Sequence, residues 1–361
     1  MVMASAQARP ADGDEGWSQA SEVAQRLSRP ATHVTWGLTG DIHMLKAVNL
    51  DAAQPNGSYD YRPMFDRVAS TLSWFDVASC HMEAPVAPPG APVIVEAPLL
   101  SAAPSLVPAL SGAGYDRCTA ASNHMMDRGV AGVDATLGAF DAAGMGHTGA
   151  ARSADEARSV LFTVKGVRFA HLSYTFYAGT RPKNEPWRVN QTDPASIIAA
   201  ARRARADGAQ VVVLSLEWGM DGHTEVIPAQ RALAGTITAS GQVDLIVGHQ
   251  AHVLQPIEQV NGVWVIYGMG NFVSNLPGPT WPTSAQDATV FGVDFDVAAD
   301  GRVTVSRPVV YPTWIDRQHG HVVRFTSEAA DPTLPGWLRT ALRQSEARTR
   351  AVLGAFIAPS S

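Results

Sequence analysis

The sequence predicts an α/β protein, and three observations carry that prediction. Short β-branched, apolar runs alternate with stretches of helical periodicity between residues 32 and 268. A period-two hairpin pattern follows them at 288–311, and five strand-like runs end in a short polar cluster.

In chain order, residues 1–30 are polar and rich in Ala, Ser and Pro, and read as a disordered or loosely docked lead-in. A single folded domain is expected over 31–361. Strands are expected at THVTWGLT (32–39), WFDVAS (74–79), DRCTAAS (116–122), VRFAHLSYTF (167–176), VVVLSL (211–216), VDLIVG (243–248) and VWVIYG (263–268). Helices are expected at 129–145, at 194–210 with Gly208 as a C-cap, at 228–241, and finally at about 335–355. The hairpin at 288–311 turns on Asp300-Gly301, and the Pro-rich stretch 84–100 reads as an extended loop.

The chain of 361 residues is 46% hydrophobic with a net charge of −6, enough apolar content for a substantial core. It contains no dense basic run, which argues against nucleic acid or an anionic membrane as partner. Arg202, Arg203 and Arg205 read as a solvated helix face. No run reaches the roughly 18 apolar residues of a membrane span, and 1–30 lacks a signal-peptide core. The two cysteines, Cys80 and Cys118, read as reduced thiols, which fits a cytoplasmic protein. Oligomeric state is not legible.

The polar clusters are GDIH (40–43), CHME (80–83), SNHMMD (122–127), EWGMDGH (217–223) and GHQAH (248–252). Carboxyl ends of strands in such sheets form the ligand crevice, so these segments are expected to meet. They bring Asp41, His43, Glu83, Asn123, His124, Glu217, His249 and His252, a set of oxygen and imidazole donors suited to a divalent ion and needing no organic cofactor. Glu217 is the oddity, an acid at the end of a run in which five of six residues are apolar. His33 and His171 read as structural, His319 and His321 as surface residues, and His81 stays open between facing the cluster and facing away.

The pieces GDIHM (40–44), HMEAPV (81–86), SNHMMDRGVAGV (122–133), HTGA (147–150), DLIVGHQAHVLQPIE (244–258) and VIYGMGNFV (265–273) resemble the CapA family, named for poly-γ-glutamate capsule synthesis. That resemblance implies a calcineurin-like metallophosphatase fold of layered β-sheets flanked by helices, with a C-terminal antiparallel hairpin. It implies that Asp41 and His43 hold a first metal, that Glu83 is the bridging acid, that Asn123 is a ligand and His124 an acid/base, and that His249 and His252 close the site. Two positions depart from the family pattern: Glu217-Trp218-Gly219 stands for His-Trp-Gly, and Gly248-His249-Gln250-Ala251-His252 for Gly-His-His-Pro-His. A carboxylate at Glu217 favours Ca²⁺, Mg²⁺ or Mn²⁺ over Zn²⁺.

Soluble relatives of that kind act as lasso-peptide epimerases, and this chain resembles a candidate for the branch. Metal-assisted removal and return of a Cα proton then becomes the leading expectation, with phosphoester hydrolysis, capsule-related function and a non-catalytic binding module as alternatives. Two His/Asp pairs, His124 with Asp127 and His223 with Asp221, would flank a peptide or other carboxylate-bearing substrate, with His252 competing for the second role. Capping by Asp127 and a turn at Asp221 are the competing structural roles. Arg128, Lys183 and Arg188 are candidates to hold the substrate carboxylate, and Trp187 and Trp218 to line an apolar pocket.

Overall fold

A computed structural model describes residues 31–94, 98–158, 160–276 and 280–358, so the expected lead-in at 1–30 lies outside the described residues. Strands β1 (Thr32–Ile42), β2 (Val77–Met82), β3 (Arg117–Thr119) and β4 (Gly146–Thr148) pair in parallel. Strands β5 (Leu161–Val164), β6 (Val167–Thr175), β7 (Val211–Trp218), β8 (Leu245–Gln250), β9 (Ile257–Val260) and β10 (Val263–Ile266) form a second sheet in the order β5-β6-β7-β8-β10-β9. The chain then returns to the first sheet through β11 (Asn271–Val273), β12 (Asp287–Val297), β13 (Val303–Val305), β14 (Val309–Asp316) and β15 (Val322–Phe325). The first sheet runs β15-β14-β12-β1-β2-β3-β4, with β11 on β1 and β13 on β12.

The two-residue side-chain period of a strand sorts these sequences between layers. On β7, Val211 and Val213 enter the core shared by the two sheets, whereas Val212, Leu214, Leu216 and Trp218 face the helices Pro194–Ala206 and Pro228–Ala239. On β2, Val77 points inward while Ala78, Cys80 and Met82 join the core under helix Gly129–Ala142. The layers are therefore helix, sheet, sheet, helix. Each fully buried Val, Leu or Phe contributes about 1.5–3 kcal/mol, so the three cores together set the sheet spacing.

The helix Pro194–Ala206 starts where Asp193 accepts from the Ser196 N–H and Pro194 fills the first turn. The Asp300-Gly301 turn forms as expected, with Gly301 at φ +86°. Beyond it, β13 and β14 share one edge of β12, so the hairpin belongs to the larger sheet.

Several expectations are corrected. The strand expected at 74–79 begins at Val77, because Trp74 sits in a turn with 67% of its surface exposed. The run at 116–122 is strand only over Arg117–Thr119 before turning into the site. The short strands β4, β5, β9, β11 and β15 have three or four residues each, too few for a period to register. Cys80 and Cys118 are direct cross-strand partners on one face and are joined as a disulfide, with Cα atoms 4.6 Å apart, rather than being reduced thiols. Such a bond is chemistry of oxidising compartments, which removes the cysteine argument for a cytoplasmic location. His321 is buried, hydrogen bonded to Asp51 and Asn275, instead of lying on the surface. No helix among the described residues is long and apolar enough to cross a membrane.

Candidate metal centre

The inner faces of both sheets change character along the strands. On β7 the inward series is Val211, Val213, Ser215, Glu217; on β8 it is Leu245, Val247, His249; on β2 it continues from Val77 through Ser79 and His81 to Glu83. The apolar end glues the sheets together, and the polar ends converge at the carboxyl termini of the strands. Glu217 thus faces the opposite sheet, 1% exposed.

Strict alternation on β1 would turn Asp41 outward, since Val34, Trp36 and Leu38 face in. Register shifts on both sides of Asp41, against β2 and β11, re-aim it. Asp41 and His43 then donate their backbone N–H groups to Gly270 and Val273 at 3.0 and 2.8 Å. Gly40 is required by this grip, because a Cβ there would lie 2.0 Å from the Gly270 carbonyl oxygen. On the other sheet, Gln250 and His252 adopt φ of +80° and +57°, a left-handed backbone that non-glycine residues hold only under constraint from their surroundings.

Two donor groups result. One joins His43, Glu83 and His252, the other Asp41, His81 and His249, and within each the donor atoms lie within 4.8 Å of one another. Asp41 links them: Oδ1 is 2.8 Å from His249 Nδ1, and Oδ2 is 3.4 Å from His252 Nδ1. His252 Nε2 lies 3.4 Å from Glu83 Oε1, and His43 Nδ1 lies 4.0 Å from Oε2. The imidazoles stack in pairs, His81 on His249 at 4.1 Å and His43 on His252 at 4.8 Å. Thr119 orients His81 from behind at 2.8 Å, and Asn271 orients His252 at 2.9 Å.

Both Glu83 oxygens, Glu217 Oε1 and His81 Nε2 are buried with no hydrogen-bond partner. Buried polar atoms are almost always satisfied, so orphans at both donor groups fit bound cations. Burial pushes the Glu83 carboxyl well up, with Asp41 and Glu217 adding repulsion that His252 only partly offsets. Burial also pushes His43 well down, helped by His252 and His124, and His249 down to about 4, helped by His81. For His252 burial works the same way, but Glu83 and Asp41 overcome it and hold the imidazole up at about 10. Asp41 is held low by hydrogen bonds from His249 and His252 despite its burial.

The second oxygen of Glu217 is already engaged. It accepts from the Asn123 backbone N–H at 2.7 Å and from the Thr175 hydroxyl. The acid therefore ties the turn at 122–127 to the second sheet. In that turn His124 Nδ1 meets Asp127 Oδ2 at 2.7 Å, and Asp127 also accepts the Leu100 N–H at 2.7 Å. The His124 ring centroid is 5.9 Å from that of His43. Asn123 Oδ1 accepts from Ser122 at 3.2 Å.

The other expected residues separate from this group. His223 is exposed and does not pair with Asp221, whose carboxylate accepts from Gln250 Nε2 at 2.9 Å. Trp218 alternates to the opposite face of β7 from Glu217, stacks on Tyr267 and donates to its carbonyl at 2.8 Å, so it is core rather than pocket. Arg188 is paired with Asp134 and Glu185. Trp187 lines a separate cleft with Tyr174 and Arg203, and Lys183 is exposed. Arg128 is the N-cap of helix Gly129–Ala142. His81, left open by the sequence, joins the cluster; its spacing to Glu83 repeats that of Asp41 to His43 and was the signal for it.

Residues 35–276 match the family model described as bacterial capsule synthesis protein PGA_cap. The capsule biosynthesis protein CapA of Bacillus anthracis is 30% identical over 267 residues, 71% of this chain and 64% of that protein. The PGA biosynthesis protein CapA of Bacillus subtilis (strain 168) is 36% identical over 172 residues, 46% of this chain and 44% of that protein. The chain thus spans less than two thirds of the length of either relative. Among solved structures, the calcineurin-like phosphoesterase YfkN from Bacillus subtilis aligns over 89% of this chain and 98% of its own, with 14% identity and a TM-score of 0.47. At that score the likeness supports no inference about activity. The sequence match over most of the chain, spanning every segment of the donor cluster, is decisive for kinship: the protein belongs to the CapA (PGA_cap) family.

Proposed function

We propose that the protein is a metal-dependent acid/base enzyme acting on a peptide, and that its reaction is epimerisation at a peptide Cα. The observation that carries this reading is the partly exposed His124–Asp127 pair beside the orphaned oxygens of Glu83. Asp127, an acceptor when ionised, fixes the His124 proton on Nδ1 and leaves Nε2 as the basic atom. A divalent ion held by His43, Glu83 and His252 would supply positive charge to polarise a substrate carbonyl. His124 then removes the Cα proton, and solvent returns one to the opposite face, since Asp221 and His223 do not form a second pair. Phe176, Tyr177 and Met220, 61%, 53% and 49% exposed, follow Thr175 and Glu217 closely in sequence and support an apolar rim for a peptide.

His81 adds an imidazole to the donors the sequence implied, which moves the favoured ion from Ca²⁺ and Mg²⁺ toward Mn²⁺ and Zn²⁺. The pair His81 Nε2 and Glu217 Oε1, 3.6 Å apart and both orphaned, favours a second reading: phosphoester hydrolysis at two cations. A capsule-related role is the reading that the names of the relatives support.

The ion-loaded protein should be incubated in D₂O with candidate peptides, and separately with p-nitrophenyl phosphate. Uptake of one deuteron per turnover is expected. Chromogenic turnover without deuterium uptake would overturn epimerisation in favour of hydrolysis, and neither signal would reduce the site to a binding module.

A further inference from the structure

Two residues before Thr119, the inner face of β3 begins with Arg117, which is 5% exposed. Its guanidinium carbon sits 3.7 Å from the centroid of the Phe162 ring. Its Nε is buried and has no hydrogen-bond partner, and among the described residues no carboxylate forms an ion pair with it. Nearby acids are committed elsewhere. Asp116 accepts the Ala78 N–H at 2.7 Å. Asp141 pairs with Arg152 at 2.7 Å and with His147 at 3.2 Å, and Glu156 is held by Arg152.

A desolvated cation is expensive, and burial pulls this guanidinium down to about 9, with the charge of Asp116 only partly offsetting it. The group lines a cleft of about 330 Å³ together with Phe162, Leu161, Met145, His147 and Gly149. The planar fork of an arginine's two terminal nitrogens is shaped for a bidentate carboxylate. Asp141 and Glu156 at the cleft would repel a dianion more strongly than a monoanion, while Phe162, Leu161 and Met145 suit an apolar body.

We propose that this cleft is a second ligand site, distinct from the candidate metal centre, in which Arg117 binds the carboxylate of a small monoanion with an apolar body. The ligand accepts from the terminal guanidinium nitrogens and lays its apolar part against Phe162 and Leu161. The site does not depend on the reaction carried out at the strand ends.

The test uses the full chain, ion-free, with ¹⁵N-labelled arginine. Propionate and benzoate are titrated in, with inorganic phosphate as the comparison, and the Nε–H resonance of Arg117 is followed after assignment with Arg117→Lys. A saturable shift of that resonance is expected, at concentrations at least tenfold lower for benzoate than for phosphate. Thermal unfolding should show a matching upward shift of the midpoint that is lost in Arg117→Lys. No saturable shift in the wild-type protein would overturn the proposal without recourse to any variant. An equal thermal response in Arg117→Lys would overturn the role of Arg117, and tighter binding of phosphate would overturn the carboxylate assignment.

Discussion

The candidate metal centre and the Arg117 cleft lie between the same two sheets, yet they carry buried charge in opposite ways. At the strand ends, Asp41 sits between His249 and His252, and Glu83 between His252 and His43, so acids and imidazoles compensate one another. At the start of β3, Arg117 lies on the Phe162 ring, and only the neighbouring Asp116 partly offsets its charge. A pooled cluster can survive without its guest, at the cost of a few orphaned atoms. A cation offset by a single neighbouring acid has less internal reserve, and its stability rests more on packing and on what enters the cleft.

Substitutions at the strand ends test the first half of that contrast. The largest effect is expected from His124→Ala, which removes proton transfer and should lower turnover about 10²–10⁴-fold while leaving metal content, read by elemental analysis, unchanged. Equal losses of turnover and metal would mean that His124 belongs to the donor cluster instead. Next comes Glu83→Gln. Losing a donor should weaken ion binding at least as much as the roughly 10–100-fold known for partners one shell further out, measured by calorimetric titration.

The smallest effect concerns His171, which lies between the two regions and is held well below its usual value, first by burial and then by the charge of Arg117. Its folded value is depressed, so its contribution to stability is complete above the unfolded value of 6.5 and is lost as pH falls toward the folded value. Comparing the pH dependence of the unfolding midpoint in wild type and His171→Gln should show a shallower fall in the variant. Parallel curves would place the acid sensitivity elsewhere.

Much of the architecture was legible because alternation is a local signal. The run VVVLSLEW announces a strand buried on both faces, and the same parity that puts Val211 inside puts Glu217 there. Parity also assigns Trp218 to the helical side, a consequence available from the sequence once Glu217 was placed inward. Other features were hidden because they depend on breaks in alternation. The bulge at Asp41 and the left-handed backbone at Gln250 and His252 have no signature in residue type. The failure of Asp221 to meet His223 is of the same kind: two residues apart in sequence, they diverge because Gln250 reaches across from β8 to claim the carboxylate. His321 was misjudged because its partners, Asp51 and Asn275, come from distant segments.

The double engagement of Glu217 has an evolutionary corollary. One oxygen steadies the turn that presents His124 while the other is left buried beside His81, so a single codon touches both the donor cluster and the segment that carries the proposed base. Lineages could not retune one trait at that position without disturbing the other, and compensating changes should be sought first at Thr175 and His81, its immediate neighbours.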